Sequence, residues 1–179
     1  MTAAELLSVA AFLEGRHAQA FPTFGSERTG APVVSFCRID DREIRSREPI
    51  AEPDALIVQD PTLLHQVNLF EGLSPEGYML INTSRTFDQL GLGDFVKQFR
   101  PERLLTVPAS ELAREHAGRP IPNAALLGGF AAISGAITIN AVAGAIRDRF
   151  SGRLADGNVA AAEAAFEFVR TEMREMSHA

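Results

Sequence analysis

Residues 55–60, ALIVQD, followed at once by Pro61, decide how this chain of 179 residues is built. A short unbroken apolar run bounded by polar residues is the pattern of a central strand in a parallel sheet, buried on both faces. Asp60 and Pro61 then read as the start of a helix. The aspartate is placed to cap it, and the proline takes the first helical position, where its missing N–H costs nothing. Leu63, Leu64, Val67 and Phe70 give that expected helix one apolar face, and Gly72 ends it.

Downstream the unit repeats. Gly77–Asn82 (GYMLIN) is a second apolar strand, and the polar residues Asn82, Thr83 and Ser84 follow it. Phe87–Phe99 is a weaker helical stretch with two glycines inside, each unfavourable in a helix interior. Leu104–Val107 is a third short strand. Ser110–Ala117 reads as a helix capped by Ser110, with Glu111 in its first turn, where the helix dipole favours an acid. Strand and helix alternating in short units predict an α/β fold with a mainly parallel sheet and flanking helices.

Upstream, Thr2–Gly15 predicts a helix with Thr2 as N-cap, Glu5 as its capping-box partner and Gly15 as its stop. Its apolar residues lie on nearly every face, so it should be covered on more than one side. Gln19–Pro32 (QAFPTFGSERTGAP) holds two Pro, two Gly, two Phe and a Glu-Arg pair, and reads as a shaped loop without regular structure. Phe21 and Phe24 are its apolar anchors, and Glu27 and Arg28 lie at its polar tip. Val33–Ile39, the Asp40-Asp41 turn and Glu43–Arg47 predict a hairpin.

Residues 124–146 carry no charge over 23 positions, a length that suits a membrane span. Only eight of the 23 are Leu, Ile, Val or Phe, and most of the rest are Ala and Gly, so two buried helices joined near Ala136 and Ile137 are the better reading. Thr138 and Asn140 sit where the second would begin. Small residues such as Gly128, Gly129 and Gly144 allow close approach of backbones. Val159–Met176 is the cleanest amphipathic helix, with Asn158 as its cap. Nothing resembles a linker, so residues 1–179 form a single domain with an α-helical C-terminal part.

The chemistry-bearing residues are sparse. A net charge of −6, with Lys97 the only lysine and the arginines scattered among acids, argues against nucleic acid as a partner. Cys37 alone cannot form an internal disulfide, a zinc site or an iron–sulfur cluster, and with no export signal at the start it suggests the cytoplasm. His17, His65, His116 and His178 are widely spaced, with no ligand set around them. Ser134 lacks the first glycine of a nucleophile elbow. Asp40-Asp41 with Asp54 or Asp60 are accounted for by a turn and a strand end. No Rossmann or P-loop glycine pattern is present. By itself the chain does not describe a complete enzyme.

Gly15–Leu64, including FGSERTGAP and PDALIVQDP, then LINTS at Leu80–Ser84, VPASELARE at Val107–Glu115 and GRPIPNAALLGGFAAISG at Gly118–Gly135, resemble the gamma subunit or domain of the 2-oxoacid:acceptor oxidoreductases, the pyruvate/ketoisovalerate:ferredoxin group. The resemblance covers almost the whole chain. It implies membership of a complex that decarboxylates a 2-oxoacid on thiamine diphosphate with Mg, passes electrons through [4Fe-4S] clusters to ferredoxin or another acceptor, and releases an acyl-coenzyme A. Those cofactors would be held by alpha, beta and delta subunits, and the gamma element would pack beside the active site and help hold coenzyme A.

Members typically open with a strand and a Gly-x-Gly-Gly-Gln-Gly loop leading into a helix like TAAELL, and this chain begins at Met1-Thr2 without them. The helix start at Thr2 is where free amides and the dipole would meet a coenzyme A phosphate. Three readings stand: the start is truncated, a partner supplies the contact, or the grip has been given up. Arg28, beside Glu27, is a candidate for an anionic group of coenzyme A or the oxoacid, or else for a salt bridge within or across subunits. Asn82 and Thr83, at the C-terminal end of a strand, are further candidates. Pro122-Asn123 reads as a helix cap. The competing reading is a purely structural subunit of that complex with no ligand contact.

Overall fold

A computed structural model of the chain describes residues 3–22 and 32–179. Helix α1 (Ala3–Leu13) leads through Gly15, in the left-handed region at φ 76, into an antiparallel ribbon of β1 (His17–Pro22) and β2 (Ser35–Asp40). The register runs from His17 opposite Asp40 to Pro22 opposite Ser35. Ser35–Asp40 is therefore a strand of an antiparallel hairpin, but its partner is β1, whose last four residues fall in the stretch read as irregular, and not 43–47, which forms no strand. Pro22 is tolerated because it ends the strand at the edge of a two-stranded ribbon. Thr2 at the expected helix start, and Phe24, Glu27 and Arg28 of the loop, lie outside the described residues.

The parallel sheet is made of β3 (Ala55–Val58), β4 (Tyr78–Asn82) and β5 (Leu104–Val107), in that spatial order. Each strand is in parallel register with the next, Ala55 to Val58 against Tyr78 to Ile81, and Met79 to Asn82 against Leu104 to Val107. The central position goes to β4, whose Met79, Leu80 and Ile81 are all but inaccessible, while the ALIV strand lies at an edge with three of its four residues half-buried. An apolar run alone does not rank strands within a sheet.

Side chains alternate between the two faces as the pleat requires. Leu80, Leu105 and Val107 join a core with α1, α3 (Asn123–Ser134), α4 (Ile139–Arg149) and α5 (Gly152–His178). Val58, Met79, Ile81 and Leu104 point the other way, into a second core with Leu73, Leu90 and Phe99. That second face is where helices were expected after β3 and β4. Instead the chain makes only short 3-10 turns at Pro61–His65, Phe95–Gln98 and Pro101–Arg103. Glycine is unfavourable in a helix interior, and the second of the expected segments, Phe87–Phe99, carries two. Gly91 sits at φ 75 within the second segment. Gly72, at φ 78, lies so close to residue 51 that an added Cβ would stand 1.9 Å from the Ala51 carbonyl oxygen. Burial of Leu64, Phe70, Phe87 and Phe95 against the sheet does the work a helix face would have done.

Helix α2 (Ala109–Ala117) begins one residue before Ser110, so Pro108 occupies the cap position and Ser110 serves another purpose. The charge-free stretch divides as expected into α3 and α4, with Gly135 in the left-handed region ending the first and the Thr138 hydroxyl accepting from Ala141 N–H at the start of the second. Pro122 occupies the N-cap position of α3, its carbonyl accepting from Leu126 N–H at 2.8 Å with no side-chain bond to help it. Helix α5 starts well before Asn158, whose amide donates back to the Leu154 carbonyl at 2.8 Å and caps nothing. The α3–α5 contact is intimate: a Cβ added at Gly128 would lie 1.9 Å from the Ala162 carbonyl oxygen. Among the described residues no helix is long and apolar enough to cross a membrane.

Candidate functional site at the strand ends

The three parallel strands end at one rim, and the residues just beyond them converge there. Gln59, Asp60 and Pro61 follow β3, Asn82, Thr83 and Ser84 finish β4, and Pro108, Ser110 and Glu111 follow β5. Together they line a cleft of about 330 Å³. In open α/β sheets ligands collect outside the carboxyl ends of strands, because the loops and helix starts there are free to diverge.

The cleft is held by Asn82, the one buried polar residue among those described, with 7% of its surface exposed. Its amide nitrogen donates to the Gln59 carbonyl at 2.9 Å and to the Ser110 hydroxyl at 2.8 Å. Its oxygen accepts from the Ser110 backbone N–H at 3.1 Å. One side chain thereby ties the ends of all three strands. Ser110, expected as a cap, is instead the far half of this clasp.

Thr83 is differently placed. Its backbone N–H donates to the Val107 carbonyl at 3.0 Å, extending the ladder, while its hydroxyl accepts from Arg85 N–H at 3.1 Å and keeps its own proton for an incoming acceptor. The Gln59 amide donates to the Asn123 side-chain oxygen at 2.5 Å, so Asn123 binds the cleft wall to the start of α3. Asp60 accepts from the Thr62 hydroxyl at 2.7 Å and from Thr62 N–H at 2.9 Å, and these bonds hold its carboxyl below the ordinary 3.8.

The charged groups lining the cleft are Asp60 and Glu111, both anionic. Phosphates would be repelled there, whereas hydroxyl and amide groups of a ligand would find acceptors and the Thr83 donor. Of the sequence-derived candidates the structure brings Asn82 and Thr83 together, while Thr2, Glu27 and Arg28 lie outside the described residues. Gln59 and Glu111 were not singled out as site residues, although the strand-end position that marks Asn82 marks them too. No group of three or more His, Cys, Asp or Glu side chains poised for a metal occurs among the described residues.

Residues 1–168 match the family model described as pyruvate ferredoxin/flavodoxin oxidoreductase. The chain is 44% identical over 176 residues to the pyruvate/ketoisovalerate oxidoreductases common subunit gamma of Pyrococcus furiosus, covering 98% of this chain and 92% of that one. It is 46% identical to pyruvate synthase subunit PorC of Methanocaldococcus jannaschii, covering 93% and 88%. Among solved structures, pyruvate oxidoreductase subunit PORC of Thermotoga maritima superposes with a TM-score of 0.74 at 33% identity, covering 92% of this chain and 86% of that one. The fold also recurs, at 15% identity and a TM-score of 0.68, in 28% of a chain of the 2-oxoglutarate:ferredoxin oxidoreductase of Magnetococcus marinus, solved with 2-oxoglutarate, coenzyme A and succinyl-CoA bound. On the family match and these relatives, the chain belongs to the pyruvate ferredoxin/flavodoxin oxidoreductase family.

Proposed function

We propose that residues 1–179 are one gamma-type domain, serving as the gamma subunit of a cytoplasmic, multi-subunit 2-oxoacid:acceptor oxidoreductase that converts a 2-oxoacid to an acyl-coenzyme A. The observation that carries this is the 44% identity to a gamma subunit across 98% of the chain. Thiamine diphosphate, Mg and the [4Fe-4S] clusters belong in this reading to alpha-, beta- and delta-type subunits, and ferredoxin or another acceptor takes the electrons. The single Cys37 of this chain, packed against the helical core, is consistent with clusters held elsewhere.

Coenzyme A is the ligand this subunit would help to hold, and the cleft fits part of it. Thr83, Gln59, Asp60 and Glu111 suit the amide- and hydroxyl-bearing portion, with Asn82 as the positioning residue that fixes the wall. Its phosphates need cations, and Arg28, with Glu27 beside it, and the helix start at Thr2 are the groups proposed to meet them. The acidity of the cleft favours one competing reading, a subunit that supplies assembly contacts alone.

The test is reconstitution with the companion subunits, followed by coenzyme A-dependent reduction of an acceptor. Arg28→Ala should raise the apparent KM for coenzyme A with the complex intact. Unchanged kinetics in an intact complex would remove the ligand role, and absence of any co-assembling subunit would remove the subunit reading altogether.

A further inference from the structure

A second cleft, of about 410 Å³, runs between the last turn of α3 and the C-terminal turns of α5, far along the sequence from the strand-end site. Its floor is apolar, formed by Ala131, Ala132, Phe166 and Met173, and its polar rim is Arg170, Arg174, Ser177 and His178, the two arginines carrying the charge. Positions 166, 170, 173, 174 and 178 follow the three-and-four spacing of one helix stripe. The carboxylates of the same turns, Glu167, Glu172 and Glu175, do not line the cleft. In a chain of net charge −6 this segregation of cations over an apolar floor is a local reversal of sign.

Helix termini account for only part of it. Basic side chains are favoured near a helix C-terminus, but the effect fades within the last turn. Arg170 lies more than two turns before the end of α5 at His178. Of the two arginines only Arg170 is engaged locally among the described residues, by exposed contacts on α5 itself. Arg170 reaches the exposed Glu167 only at 3.5 Å and lies 5.5 Å from the Phe166 ring centre, and Arg174 has no ion-pair partner among the described residues. A small anion would be held by enclosed, convergent donors, whereas these are exposed side chains on an open groove with an apolar base. That mixture matches a protein segment, with apolar anchors at the centre of the contact and ion pairs at its rim.

We propose that this groove docks an acidic segment of another subunit of the same oxidoreductase complex. An apolar anchor would sit against Phe166 and Met173, and its carboxylates would face Arg170 and Arg174. The inference rests on the gamma-subunit reading above and adds to it a surface and a sign of charge.

The experiment co-expresses the tagged chain with the other subunits of its complex and measures assembly by native mass and sedimentation. The unmodified chain should assemble. The double variant Arg170→Glu/Arg174→Glu should weaken assembly at least roughly tenfold, because like charges would then face each other. The charge-keeping variant Arg170→Lys/Arg174→Lys should retain most of it. Both variants should keep the circular dichroism and Tm of the parent, since the altered side chains are exposed.

Equal assembly of the charge-reversed and parent chains overturns the proposal. So does self-association of the isolated parent chain that the reversal abolishes, which would make the occupant a second copy. A parent chain that joins no subunit at all overturns the gamma-subunit reading, and this inference falls with it.

Discussion

Asn82 and Ser110 hold each other by two hydrogen bonds of opposite sense, the Asn82 amide donating to the Ser110 hydroxyl at 2.8 Å and its oxygen accepting from the Ser110 N–H at 3.1 Å. A third bond, to the Gln59 carbonyl, brings in the edge strand. Removing this side chain would leave a backbone donor and acceptor near the core without partners, and burial makes that costly. Asn82→Ala should therefore lower unfolding stability by about 1–3 kcal/mol, read as a shifted midpoint in urea with an unchanged slope. Ser110→Ala removes one acceptor and keeps the N–H bond, so it should cost less. Equal losses in the two variants would mean that the clasp does not act through Asn82.

Gly128 makes a different demand. Its missing Cβ would stand 1.9 Å from the Ala162 carbonyl oxygen, on backbone that cannot turn aside, whereas at Gly129 the nearest obstacle is a Leu80 methyl at 3.1 Å. Gly128→Ala must push α3 and α5 apart, and overpacking of that kind costs about 1–3 kcal/mol, sometimes more. Gly129→Ala asks only that a side chain yield, and alanine regains helix propensity, so it should be far milder. Thermal unfolding of the pair tests this ordering, and a variant of Gly128 as stable as its neighbour would show that the helices are free to move.

These two sites also mark what the sequence makes legible. Local, periodic signals survive: β5 appears where Leu104–Val107 was read, and the charge-free stretch breaks near Ala136 because Gly135 can adopt a left-handed φ. Signals that depend on partners do not. A polar residue at a strand end marks Asn82, but nothing local says whether it faces a ligand or Ser110. The expected helices after β3 and β4 fail because Gly91 and burial against the sheet outweigh a weak apolar period. His17–Pro22 hides as a strand because prolines at a ribbon edge look like a loop until Ser35–Asp40 is placed beside it.

Asp60 gives a titration that can be separated from the rest. Its carboxylate accepts from the Thr62 hydroxyl and N–H, and both favour the charged form, holding its pKa below the ordinary 3.8. A depressed carboxylate pKa contributes stability above the unfolded value, which is lost as pH falls through the folded one. Thr62→Val removes the hydroxyl bond, so the Asp60 carboxyl should titrate at higher pH. Carbon-detected NMR of the aspartate side chains would register the change, and an unmoved Asp60 resonance would mean that the hydroxyl bond does not form in solution.

Cys37 supplies the opposite sign. It lies on β2 facing the helical core beside Ala18 and Ile39, and burial pushes its thiol up to about 12 from the ordinary 9.0. The thiolate is the reactive form, so at pH 8 the folded chain should be alkylated by iodoacetamide much more slowly than the chain in urea. The folded state holds this proton more tightly than the unfolded state does. The contribution of Cys37 is thus fully present below about pH 9 and is lost as pH rises toward about 12, because in that window the unfolded chain has released a proton the folded chain keeps. Cys37→Ala should flatten this part of the alkaline stability profile while leaving the acid side untouched. Native labelling as fast as that of the unfolded chain would mean that the hairpin opens away from α1 on the timescale of the reaction, and the ribbon would then be the first part of the fold to come apart.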